Sequence, residues 1–122
     1  MKTARQTTGA AAEQLVGAWL TRQGYRVVER NARTPVGEID VVAQEGKTLV
    51  FVEVRARRSA RFGTPEESIT STKLQHMLRA AQWYLQHKGW REEFPVRLDV
   101  VTVRWSAAGE PQLNHIKNAF AG

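Results

Sequence analysis

Cysteine is absent from the 122 residues, which excludes disulfides and thiolate metal sites and makes a reducing cytoplasm the expected compartment. No apolar run approaches the roughly 20 residues that a membrane span needs. The opening stretch MKTARQTTGAAAEQ lacks the apolar centre of a secretory signal. Repeats, low-complexity tracts and long linkers are missing too, so nothing divides the chain. Neither a Ser-His-Asp arrangement nor a glycine-rich phosphate loop is visible, and "GTPEES" reads as a plain loop. His76, His87 and His115 have no sibling at metal-ligand spacing and read as surface or packing residues. The four tryptophans, Trp19, Trp83, Trp90 and Trp105, read as core and edge packing rather than base stacking. Acidic residues are the minority charge: 12 Asp and Glu stand against 18 Lys and Arg, for a formal charge of +6. Thirteen of the eighteen are arginine, whose planar fork suits phosphate, so a polyanion is expected, nucleic acid ahead of membrane.

What is present is an ordinary globular composition, 42% apolar and 25% charged, at a length that holds one core. Residues 1–8 read as a flexible polar arm and residues 9–122 as one domain. Ala12, Leu15, Val16, Trp19 and Leu20 follow helical spacing up to a stop at Gly24. Three strand-like runs follow, YRVVERNAR, EIDVVAQ and TLVFVEVRA, the last two joined by a hairpin signal at Glu45-Gly46. A second helix, capped by Thr70 or Ser71 and ending near Gly89, carries Leu74, Met77, Leu78, Ala81, Tyr84 and Leu85 on one face. PVRLDVVTVRW reads as a fourth strand and QLNHIKNAF as a short last one. The order α-β-β-β-α-β-β predicts an α/β fold, a mixed sheet flanked by helices.

Asp40 and Glu53 sit inside strands that otherwise read as core, where an unpaired charge costs several kcal/mol. With Glu45 and Gly46 as the two loop residues, Asp40 lies opposite Phe51 and Glu53 is its diagonal neighbour, roughly 7–8 Å away on the same face. Glu38 and Asp40 share that face by strand alternation, as do Glu53 and Arg55. Two hard carboxylates so placed suit Mg²⁺ or Mn²⁺, while Arg55 would stabilise charge on a phosphate. A three-residue loop would throw the pair onto opposite faces. The competing reading is an ion pair: Glu53 with Arg55, two apart on one face, and Asp40 tied to Arg55 or to Arg97.

GEID followed, after a spacer, by EVR resembles the restriction-endonuclease-like superfamily, whose core pattern is Asp, a spacer, then Glu-x-Lys. The ordered blocks N-x-R…GEID, FVEVR, FG, ITSTK, RLDVV and HIKNAF together resemble the YraN-like family of endonuclease-type proteins, related to archaeal Holliday-junction resolvases. The match runs from about Gly9 to Phe120. The resemblance implies a restriction-endonuclease-like sheet and a metal-dependent phosphodiesterase acting on DNA, favoured over RNA and branched or structured in form. It places Asp40 and Glu53 as the metal pair, the Val54 carbonyl as a further ligand, and Glu13 as the acid of the first helix. It gives no role to Glu38. Arg55 stands where the superfamily has lysine and serves only as a clamp, since arginine stays charged. Lys73, in the S-x-K block, is the residue expected to swing toward the site in its place, the alternative being a phosphate-contacting or solvated lysine. Arg57, Arg58 and Arg61 are expected to grip the backbone beside the scissile phosphate, as is Lys73. A homodimer follows by analogy with the resolvases. The rival expectation is a non-catalytic nucleic-acid-binding module that retains the fold.

Overall fold

β-branched runs punctuated by glycine turns, with one amphipathic helix before and one between them, build a five-stranded mixed sheet with order β1-β2-β3-β4-β5. The computed structural model describes residues 4–57, 63–106 and 109–119, with side chains from residue 9 onward. The elements are α1 Ala4–Arg22, β1 Arg26–Thr34, β2 Gly37–Glu45, β3 Thr48–Arg57, α2 Ser71–His87, β4 Val96–Trp105 and β5 Pro111–Ile116. A short 3₁₀ turn, Glu66–Ser68, precedes α2. The predicted α/β order therefore holds. Residues 4–8, read as part of an arm, extend α1 back to Ala4. Among the described residues no helix is long and apolar enough to cross a membrane.

Alternation along β3 sends its side chains to two cores. Val50 and Val52 meet Ala12, Val16 and Leu20 of α1, together with Val41, Ala43, Val101 and Val103. Leu49 and Phe51 meet Met77, Ala80, Ala81 and Tyr84 of α2, together with Ala32, Ile39, Val42 and Leu98. The helix α2 starts where the Thr70 hydroxyl accepts the Lys73 N–H at 3.2 Å, and Gly89 follows it with φ of 72°. The Tyr84 hydroxyl donates to Glu29 Oε1 at 3.0 Å and ties α2 to β1. Burial and the Glu29 carboxylate push that phenol up to about 12. Tyr84→Phe is expected to cost about 1 kcal/mol in a denaturant titration, with the helix content unchanged.

On the α1 side, one fully buried acid organises the far strands. Asp99 accepts from Arg97 Nε and Nη2, each at 2.9 Å, from His115 Nε2 at 2.6 Å and from the Asn118 N–H at 2.9 Å. Arg97 also donates to Glu45 Oε1 at 3.0 Å and to the Tyr25 hydroxyl at 2.7 Å, and Trp19 meets the His115 ring edge-on. Burial alone would raise the Asp99 carboxyl, but donors from His115, Arg97 and Asn118 overcome it and hold it near 2. Arg97 therefore belongs to Asp99 and Glu45, not to Asp40 as the ion-pair reading allowed.

A carboxylate-lined fork between β2 and β3

The β2–β3 hairpin turns through Gly46 and Lys47, because Glu45 pairs with Thr48. That corrects the expected turn at Glu45-Gly46 by one position while keeping a two-residue loop. Gly46 takes φ of 58°, and the Gln44 amide donates to its carbonyl at 3.0 Å. The register change replaces the expected diagonal geometry: Asp40 and Glu53 are the positions next to Val41 and Val52, where the pairing of the two strands ends. The two carboxylates stay on speaking terms, since a two-residue shift of the pairing preserves which face each occupies.

The ladder stops at Val41 opposite Val52, although β2 reaches back to Gly37 and β3 runs on to Arg57. Continued regularly, it would set Val54 opposite Ile39. Instead the Val54 N–H donates to Asp40 Oδ2 at 2.8 Å, so a side chain replaces the next backbone acceptor and the strands fork. In an extended strand the N–H and C=O of one residue point to the same edge, so the Val54 carbonyl also opens on the fork.

The fork coincides with a slip in the pleat. Ile39 and Val42 face the same core although three apart, and so do Ala32 in β1 and Tyr84-bonded Glu29. Strict alternation, on which the shared face of Glu38 and Asp40 rested, is interrupted there. Asn31, with φ of 51°, marks the slip in β1. Its amide donates to Glu13 Oε2 at 2.9 Å and to Glu38 Oε1 at 3.0 Å. Glu38 thus reaches the same corner by another route.

Four acids consequently share one small region. Burial pushes the Asp40 carboxyl up to about 8, aided by the Glu53 charge and more weakly by Glu13 and Glu38, against the pull of the Val54 N–H. Glu13 is raised as well, by burial and by Glu38, with Asn31 opposing. Arg55 is the cation inside the fork: its Nη1 lies 3.3 Å from Glu53 Oε1, and its Nε donates to Ser68 Oγ at 2.9 Å. Ser68 in turn donates to the Pro65 carbonyl at 2.6 Å, and the Thr102 hydroxyl donates to Glu66 Oε1 at 2.7 Å. The 3₁₀ turn is thereby strapped to β4 and holds the guanidinium in place. Asp40 is tied to neither Arg55 nor Arg97, which removes the ion-pair reading for that residue but keeps it for Glu53 with Arg55.

Glu13, Asp40, Glu53, Val54 and Arg55 are brought together. Lys73 is exposed in the first turn of α2, and its hydrogen bond to Thr70 runs through the backbone. Arg57 is half-buried at the end of β3, where Nη1 donates to the Ala56 carbonyl at 2.9 Å. Arg58 and Arg61 lie outside the described residues. Sequence reasoning missed Asn31 and Ser68. A lone asparagine within a strand-like run was the available signal for the first, because few other side chains tolerate a left-handed backbone there.

The donor set is small. Among the described residues no three Asp, Glu or His side chains converge closely enough to cage an ion by themselves. Two carboxylates and a carbonyl, with water completing the shell, is the hard-oxygen composition that Mg²⁺ commonly uses. The donor chemistry at the fork fits such an ion.

A five-stranded mixed sheet, helices on both faces and an acid-lined fork define the class: a small α/β domain with a polar site at a split between strands. The chain belongs to the family described as "Uncharacterised protein family UPF0102", whose model matches residues 12–103. Among its relatives, a UPF0102 protein of Beutenbergia cavernae is 45% identical over 115 residues, covering 93% of this chain and 96% of its own. Similar proteins of Dehalococcoides mccartyi and Symbiobacterium thermophilum are 44% and 46% identical, covering 95% and 92% of this chain and 94% of each relative.

Proposed function

We propose that this protein is a divalent-metal-dependent phosphodiesterase acting on DNA, with branched or otherwise structured DNA as the preferred form. The observation that carries the reading is the close approach of Asp40 and Glu53 at the fork, where the charge of each opposes ionisation of the other and a bound cation would let both ionise. Asp40, Glu53 and the Val54 carbonyl would hold Mg²⁺ or Mn²⁺. Such an ion, when bound, polarises a phosphate and makes its bound water a better nucleophile. Glu53 and Ser68 fix Arg55 on two of its three guanidinium nitrogens, leaving the face toward the fork for a phosphate oxygen. A held cation of this kind orients the ester and stabilises developing charge, but it does not deliver a proton. Glu13, raised and close to Asp40, is the acid placed to exchange a proton with the leaving group or the water. Arg57 and Lys73, with Arg58 and Arg61 of the basic sequence that follows β3, would meet flanking phosphates.

A second reading, a DNA-binding module without turnover, is favoured by one residue: Arg55 where nuclease-fold relatives of this pattern carry lysine. Incubation with Mn²⁺ and junction, flap, single-stranded and RNA substrates separates the two. Cleavage is expected on structured DNA and absent in Asp40→Asn; cleavage surviving that substitution would identify a contaminant. Tight junction binding without cleavage would favour the module. Arg55→Ala is expected to reduce cleavage by about 10²–10³-fold. Full activity in Lys73→Ala would reject a catalytic role for that lysine.

A further inference from the structure

We propose that Asn31 is a positioning residue for the fork: its amide binds the carboxylates of Glu13 in α1 and Glu38 in β2 together and so fixes these acids beside the pair, Asp40 and Glu53, that would hold a divalent cation. The proposal rests on the metal-dependent reading above and assigns a part of the machinery that reading leaves without a role.

Placement comes first. Arg30 pairs with Val41 and Ala32 pairs with Ile39, so Asn31 lies between these two pairs at the level of Asp40, one position beyond the Val41–Val52 pair that ends the β2–β3 ladder. The left-handed backbone of Asn31, φ 51°, lifts it out of the regular ladder and turns its side chain to the corner where α1 meets β2. Asparagine adopts that conformation more readily than other residues with a side chain.

Chemistry comes second. The amide oxygen cannot face two acids, so the nitrogen must, and its two hydrogens go to two different carboxylates, Glu13 Oε2 and Glu38 Oε1. One neutral group thus bridges acids from separate elements that would otherwise repel. Each keeps its second oxygen. The bridge fixes α1 against the sheet at the level of Asp40, so Glu13 is positioned by Asn31 rather than by the helix alone. Groups hydrogen-bonded to a ligand typically strengthen metal binding by about 10–100-fold, and Asn31 acts on the ligands through the position and charge of Glu13 and Glu38 beside Asp40.

The discriminating variant is Asn31→Gly, which tolerates the left-handed backbone and deletes the side chain that carries the amide. Calorimetric titration of the full chain with Mn²⁺ is expected to give an affinity about 10–100-fold lower than wild type. The Mn²⁺-induced rise in Tm should shrink in parallel. In the wild-type chain, the side-chain amide signals of Asn31 should also shift on titration with Mg²⁺, a readout that survives any folding defect in the variant. Unchanged Mn²⁺ affinity in Asn31→Gly, or amide signals indifferent to Mg²⁺ while Asp40-dependent binding persists, would overturn the role of Asn31 alone. Failure of the wild type to bind Mn²⁺ in an Asp40-dependent way would overturn the metal reading, and this inference with it.

Discussion

Asp40→Asn is expected to stabilise the metal-free protein while abolishing cleavage. The carboxyl of Asp40 is pushed to about 8 in the folded state by burial and by Glu53, against an ordinary value of 3.8. The folded chain therefore holds a proton at neutral pH that the unfolded chain has released. Stability conferred by that proton is complete below about pH 4 and is lost progressively as pH rises toward 8. Asparagine is neutral throughout and can still accept the Val54 N–H. The gain at pH 7 should be on the order of 2 kcal/mol, or several degrees in Tm, and should vanish near pH 4. Thermal melts of both proteins across pH 4–8, without divalent ions, measure it. A variant less stable than wild type at pH 7 would mean that Asp40 is ionised and satisfied there, contrary to the geometry of the fork. The opposite signs of the stability and activity effects are what a site held under electrostatic strain produces.

Asp99→Ala should be the most damaging single change to the fold. It removes the common acceptor of Arg97, His115 and the Asn118 N–H from a fully buried position. Breaking one side of a buried ion pair costs about 3–5 kcal/mol, and here Arg97, His115 and the Asn118 N–H lose their common acceptor together, although Arg97 keeps Glu45 and Tyr25. For a chain of this length the loss should exceed about 10 °C in Tm. Linkage gives an independent check. A carboxyl held near 2 contributes stability that is complete above its ordinary value of 3.8 and disappears as pH falls toward 2. Wild type should therefore lose this contribution on acidification, and Asp99→Asn should not. Near-equal melting of Asp99→Ala and wild type at neutral pH would show that the network is dispensable.

Glycine punctuation and apolar spacing made the helices, the strand order and the α/β class readable before any coordinates. Both core faces of β3 were also legible, because Leu49, Val50, Phe51 and Val52 leave no doubt that the strand is covered twice. The hairpin register was not. Glu45-Gly46 and Gly46-Lys47 are both acceptable two-residue loops, and the choice is made by pairing along the entire hairpin, reinforced by the Gln44 amide on the Gly46 carbonyl. The forked ladder escaped notice for a related reason: it depends on a side chain displacing a backbone acceptor, which no periodicity records. Asp99 presented the same puzzle as Asp40, a carboxylate in an aliphatic run, and Arg97 two residues away was half of its answer. The other half, His115, becomes a neighbour only through the antiparallel pairing of β4 with β5.

Among the described residues the only parallel pairing, β3 with β4, is also the one whose partners are separated by an entire helix. During synthesis the meander β1–β3 can close as soon as it emerges, and with it Glu13, Asn31, Asp40 and Glu53, all encoded before residue 58. Strand β4 arrives only after α2 has been made, at ribosomal speeds of about 5–20 residues per second. For those seconds β3 is an open margin of Val and Phe on a nascent chain, free to recruit a foreign strand. Arg55 and Arg57, near its end, are charged side chains of the type that blunts such pairing at an exposed strand edge.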